Sequence, residues 1–208
     1  MAGLLSNFRN TLIVSLILAV VMIWAFGVNS GRELGDVGYW QAIFRWVHVF
    51  FGILWIGLLY YFNFVQIRMM PSIPAELKPA VSKHIAPEAL FWFRWAALVT
   101  VLAGLTVAYL RGVDYAHETL TLGLMGGFSD GDYGFTLMGV GMWLGIVMML
   151  NVWGFIWPNQ KIALGIREGF DADAKAKAAK TAMLFSRTNL LLSLPMLVSM
   201  TMYQTLIG

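Results

Sequence analysis

The sequence contains no cysteine. Disulfides, thiolate metal centres, cysteine nucleophiles and haem attached covalently through C-x-x-C-H are therefore excluded. Charge is scarce as well: Asp, Glu, Lys and Arg make up 12% of the 208 residues, against about 25% in an ordinary soluble domain. No serine–histidine–acid arrangement, phosphate-binding glycine loop or dinucleotide fingerprint is present, and Gly123, Gly126 and Gly127 follow no strand. The formal net charge of +3 does not point to nucleic acid, because the basic residues are distributed by membrane side.

Apolar residues are abundant instead. They form 59% of the chain, more than a core of this size can hide from water. Five stretches reach the roughly 20 residues a helix needs to cross the hydrocarbon. They lie at about 10–28, 39–65, 88–110, 135–157 and 182–206. The expected fold is an all-α integral membrane protein, residues 1–208 forming a single membrane domain. Trp24, Trp40, Trp95, Tyr109, Trp153 and Trp157 fall near span ends, as interfacial aromatics do. The first run ends near Ala25-Phe26-Gly27, a tolerable cleavage context, and is expected to be retained.

Sidedness follows from Lys and Arg. Arg9, Arg68, Lys78, Lys83, Lys161, Arg167, Lys175, Lys177 and Lys180 share one side of a five-span chain. Arg32 and Arg111 occupy the other, among Glu33, Asp36, Asp114, Glu118, Asp130 and Asp132. The positive-inside rule then predicts a bacterial inner (plasma) membrane protein with its N-terminus cytoplasmic and its C-terminus periplasmic. In the loops, Ser72 as N-cap with Pro74 in the first turn, or a start at Pro79 running to about Ala86, would begin a short helix. Pro87 is expected to reset the chain, and Asp171 or Asp173 to cap the Ala/Lys run entering the fifth span. Ser129-Asp130-Gly131-Asp132 reads as a turn rather than a calcium loop.

The second and fourth spans share a pattern. Trp55-Ile56-Gly57 precedes Asn63 by the same spacing that separates Trp143-Leu144-Gly145 from Asn151, and Pro71 and Pro158 are expected to close the two spans. The following spans carry Trp92-Phe93-Arg94 and Phe185-Ser186-Arg187. One N-terminal helix plus two repeated helix pairs, forming a bundle, accounts for this, the pairs related by an axis along the membrane normal. The repeat sets Asn63, Arg94, Asn151 and Arg187 at similar depth. Either the arginines reach the headgroups and the asparagines join helices, or the four line a polar pocket for an anion or a haem propionate. Gly52, Gly57, Gly141 and Gly145 suggest close helix contacts or a flat ligand against bare backbone.

His48 is the histidine that falls within a span. Arg45 lies one turn before it, Gly52 one turn after and Trp55 two turns on. A neutral imidazole beside a glycine suits an axial ligand of haem b, with Arg45 on a propionate. A histidine bonded to a neighbouring helix is the other reading. For a second iron ligand, His117 lies on the same outer side; a methionine, a five-coordinate iron or ligation across a subunit interface are alternatives. For copper or zinc, one buried histidine gives too few ligands.

Phe44-Arg45-Trp46-Val47-His48-Val49, Trp55-Ile56-Gly57 and Tyr60-Tyr61-Phe62-Asn63 together resemble the start of the membrane region of the bacterial urate hydroxylases, the membrane-bound urate oxidases. Residues 151–161, NVWGFIWPNQK, are also similar to that family. The similarity runs from about Gly38 to Arg187. His followed by Trp-Ile-Gly recurs in four-span protoporphyrinogen oxidases and copper-resistance membrane proteins too. The family's enzymes carry more spans and a C-terminal cytochrome c domain, which this sequence lacks. The resemblance implies a membrane redox module, urate oxidase-like if catalytic, that passes electrons to a separate cytochrome c-type acceptor. A non-catalytic structural or array-forming subunit, as a homo-oligomer or within a larger membrane complex in the lipid bilayer, is the alternative. A transporter is less well supported, since no buried carboxylate interrupts a span. No residue is given a catalytic role.

Overall fold

The computed structural model describes residues 2–31, 33–124 and 133–207. Arg32, Gly126, Gly127 and the Ser129–Asp132 segment lie outside them. Among the described residues all regular structure is helical, and five helices are long and apolar enough to cross a membrane. The chain is an all-α membrane protein.

A single turn, α1 (Ala2–Leu5), precedes α2 (Phe8–Asn29), which the Asn7 side chain caps through Asn10 N–H at 3.2 Å. The next two spans are α3 (Val37–Ser72) and α4 (Lys78–Arg111). A short amphipathic helix, α5 (Val113–Leu120), occupies the loop before α6 (Gly134–Ala163). The last span, α7 (Ala172–Leu206), is capped by the Asp171 carboxylate, which accepts from Ala174 N–H at 2.8 Å. The Ala/Lys run is therefore continuous with the fifth span. Pro195 sits inside α7, and the helix runs on through it.

The helices overrun the apolar stretches mainly at the lysine-rich end, because polar turns beyond the hydrocarbon remain helical. Of the prolines expected to interrupt them, Pro71 lies in the last turn of α3, whereas Pro87 and Pro158 stop nothing. Ser72 caps nothing, and the short helix starts at Lys78, beside Pro79. Pro87 and Pro158 are carried within α4 and α6, each preceded by a wide π segment, Val81–Ile85 and Val152–Ile156. A helical proline lacks an N–H and presses on the carbonyl four residues back. Here those carbonyls belong to Lys83 and Gly154, both inside the widened turns that accommodate the ring. A third π segment, Tyr61–Gln66, lies ahead of Pro71, which enters a closing 3-10 turn.

Four spans form the bundle. The most extensive contacts pair α3 with α4 and α6 with α7, and α4 and α7 also reach across to the other pair. The apolar core gathers Trp55, Leu59, Phe62, Phe93, Ala97, Met148 and Val152. By contrast α2 is almost entirely unburied. It is held at its C-terminal end by Tyr39, whose hydroxyl donates to Ile23 O at 3.4 Å. The Tyr39 ring fills the space where a side chain at Gly27 would stand.

Candidate functional site

The polar interior is built on one face of α7. Ser186, Asn189, Ser193, Ser199 and Tyr203 are all buried, at spacings of three, four, six and four residues. Asn63 donates from Nδ2 to Ser186 Oγ at 3.0 Å and to Leu59 O at 2.9 Å. Asn151 donates to Asn189 Oδ1 at 2.9 Å, and Asn189 donates in turn to Met148 O at 2.9 Å. Tyr60 and Ser193 share a hydroxyl–hydroxyl bond of 3.2 Å, and Ser199 Oγ donates to Leu137 O. The two repeat asparagines thus converge on α7, one turn apart. Two amide oxygens beside them, Asn63 Oδ1 and Gln66 Oε1, are buried without a donor.

The arginines stay out of this seam. Arg94 is half-buried and lies over the Trp157 ring, Cζ to centroid 3.9 Å, and over Phe91 at 5.2 Å. Its carbonyl accepts from Trp153 Nε1 at 3.0 Å. Arg187 is exposed. The four predicted pocket residues therefore divide into an inner asparagine pair and two separate outward cations. Asn189, the hub of the seam, was not singled out by sequence reasoning. A repeat of Ser and Asn in helical phase along an apolar span would have marked it.

His48, half-buried in α3, meets α4. Its Nδ1 lies 2.8 Å from Thr100 O, and a carbonyl can only accept, so Nδ1 carries the proton. In the neutral ring Nε2 then keeps its lone pair. The approach needs a glycine on α4: a Cβ at Gly104 would stand 2.8 Å from Nδ1. Arg45 is exposed on the same helix. A Cβ at Gly52 would rest in ordinary van der Waals contact with the Thr100 methyl, at 3.7 Å. Trp55 is 1% exposed in the core, and its buried Nε1 has no acceptor. Gly141 packs beneath Ser199; Gly57 is exposed and Gly145 buried, each with no atom within 4 Å of where a Cβ would stand.

His117 is exposed on α5, which packs on α4 and α6. No group of three or more His, Asp or Glu placed to bind a metal ion occurs among the described residues. Two open clefts of about 460 and 440 Å³ flank Tyr39, between the end of α2 and the start of α3, away from His48. Tested against a haem, His48 fits as a nitrogen ligand and Arg45 as a free cation beside it. Gly52 and Trp55 provide no open wall for the porphyrin within one copy of the chain. No family model, curated protein or solved structure matches the chain.

Proposed function

We propose that the chain is a membrane redox module of the kind its motifs resemble, the membrane domain of the bacterial urate hydroxylases, with His48 as the nitrogen ligand of a haem b. The observation that supports this reading is the bond from His48 Nδ1 to Thr100 O. Histidines that bind metals through one ring nitrogen usually donate the other to a carbonyl or carboxylate, which fixes the tautomer and raises ligand basicity. Arg45, exposed one turn away, is suited to a propionate. When bound, the haem supplies one-electron transfer, and a separate cytochrome c-type protein accepts the electrons. The lysine-rich loops support an N-terminus in the cytoplasm and a C-terminus in the periplasm of a bacterial inner membrane. A reduced-minus-oxidised spectrum of the purified protein tests the reading. A Soret band that disappears in His48→Ala supports it, and a spectrum without one overturns it.

A second reading, a non-catalytic subunit of a homo-oligomer or larger complex, is favoured by α2. That helix is apolar all round and is 6% buried within the chain. A monomer in native mass spectrometry would count against this reading and leave the first standing.

A further inference from the structure

We propose that Arg94 and Lys161, gathered around the Trp157 indole, form a binding site for a phosphate group of the type carried by anionic lipid headgroups. The inference does not depend on haem. Arg94 lies eight residues into α4 from Ala86, at the lysine-rich end of the bundle, where an unpaired cation within a span is costly. No carboxylate comes within ion-pair distance of it among the described residues; its side chain lies instead against the Phe91 and Trp157 rings.

The geometry leaves Arg94 half-engaged. A guanidinium 3.9 Å from the Trp157 centroid uses its planar face on the ring. Its N–H edge, the part that grips a phosphate through two parallel bonds, donates to no described residue. One turn beyond Trp157, Lys161 sets a second cation 5.7 Å from the same indole. The assembly is also held in place. Trp153 bonds the Arg94 carbonyl at 3.0 Å and packs edge-on against Trp95 at 5.2 Å, which fixes α4 to α6 at this level. Two cations without a counter-ion among the described residues, on an aromatic floor between two spans, are the chemistry that selects an anionic headgroup over a zwitterionic one. The repeat mate Arg187 is exposed and has no ring beneath it among the described contacts, so the site belongs to one half of the bundle.

The test uses the full chain in nanodiscs of phosphatidylcholine alone or with phosphatidylglycerol, read by lipid retention in native mass spectrometry and by thermal unfolding. Phosphatidylglycerol should be retained and should raise Tm, with retention falling roughly tenfold in Arg94→Gln and less in Lys161→Gln. Arg94→Lys, which keeps the charge but loses the fork, guards against misfolding and should fall between the two. Inorganic phosphate added to the phosphatidylcholine discs separates the sources. Stabilisation by phosphate that Arg94→Gln abolishes keeps the site and makes a free anion its ligand. Equal retention in wild type and in both Arg94 variants, or no preference for either anion, overturns the proposal.

Discussion

The two helix pairs bury the same face with different residues. With an offset of 93 positions, Phe93, Ala96, Thr100 and Ala103 on α4 match Ser186, Asn189, Ser193 and Met196 on α7, and all eight are buried. The first set packs closely by small and aromatic side chains, with Phe93 edge-on to Phe62 at 5.6 Å. The second set bonds across helices through amides and hydroxyls. Lipid tails are as apolar as leucine, so burial alone does not drive helices together in a bilayer. Close packing and interhelical hydrogen bonds are the two available sources of cohesion. The second pair relies mainly on the bonds, whereas the first combines close packing with the bonds from Gln41 and His48 to carbonyls of α4. Both meet at the π segment of α3, where Phe62 touches Phe93 and Asn63 bonds Ser186.

The largest expected effect lies in the first pair. Phe93→Ala should cost about 2–3 kcal/mol in unfolding from mixed micelles. That is below the range for soluble cores, because lipid replaces water as the reference. In the second pair, Asn189→Leu leaves Asn151 without its acceptor and should cost about 1–2 kcal/mol. If Phe93→Ala proves milder than Asn189→Leu, the division between packed and bonded pairs fails.

A third substitution probes the contact that orders His48. Gly104→Ala places a methyl against the imidazole and should cost about 1 kcal/mol. It should also break the bond to Thr100, which the histidine ring resonances in an NMR spectrum would report. Gly57→Ala, with no neighbour within 4 Å of the new methyl, should be neutral or stabilising by a few tenths of a kcal/mol. Equal losses for the two glycines would show that His48 packing is incidental.

The spans and the pairing of helices were legible in the sequence because length and hydropathy are sums over many residues. The repeat was legible in outline but misaligned by one residue in its first helix. Matching Trp55 to Trp143 pairs a core residue with one that is 46% exposed. An offset of 89 instead of 88 brings the buried positions Ile56, Leu59, Phe62 and Asn63 onto Gly145, Met148, Asn151 and Val152. A single-residue slip rotates a helix by about 100°, so shared letters did not mean a shared face. Pro87 and Pro158 misled for a related reason: a stop signal reads as a stop only where the turn cannot widen. The grouping of asparagines with arginines also dissolved, since depth along the membrane says nothing about which way a side chain turns.

The smallest effect belongs to the cap where both pairs meet around α5, beyond the lysine-poor ends of the spans. Tyr115 on α5 packs against Phe135, and Arg111 lies over its ring at 4.4 Å and over that of Tyr203 at 5.7 Å. Burial, followed by the hydrogen bond to Tyr203 and that neighbour's charge, pushes the Tyr115 phenol from 10.0 up to about 12; Arg111 and the Thr119 bond pull the other way. Because the folded value exceeds the unfolded one, the contribution is fully present below pH 10. Above it the unfolded chain releases a proton that the folded chain still holds, so stability declines until about pH 12. Tyr115→Phe should flatten this part of the alkaline decline while the lysines titrate as before. Identical slopes for wild type and variant across that window would mean that α5 is not docked on α4, α6 and the end of α7 tightly enough to join the two pairs.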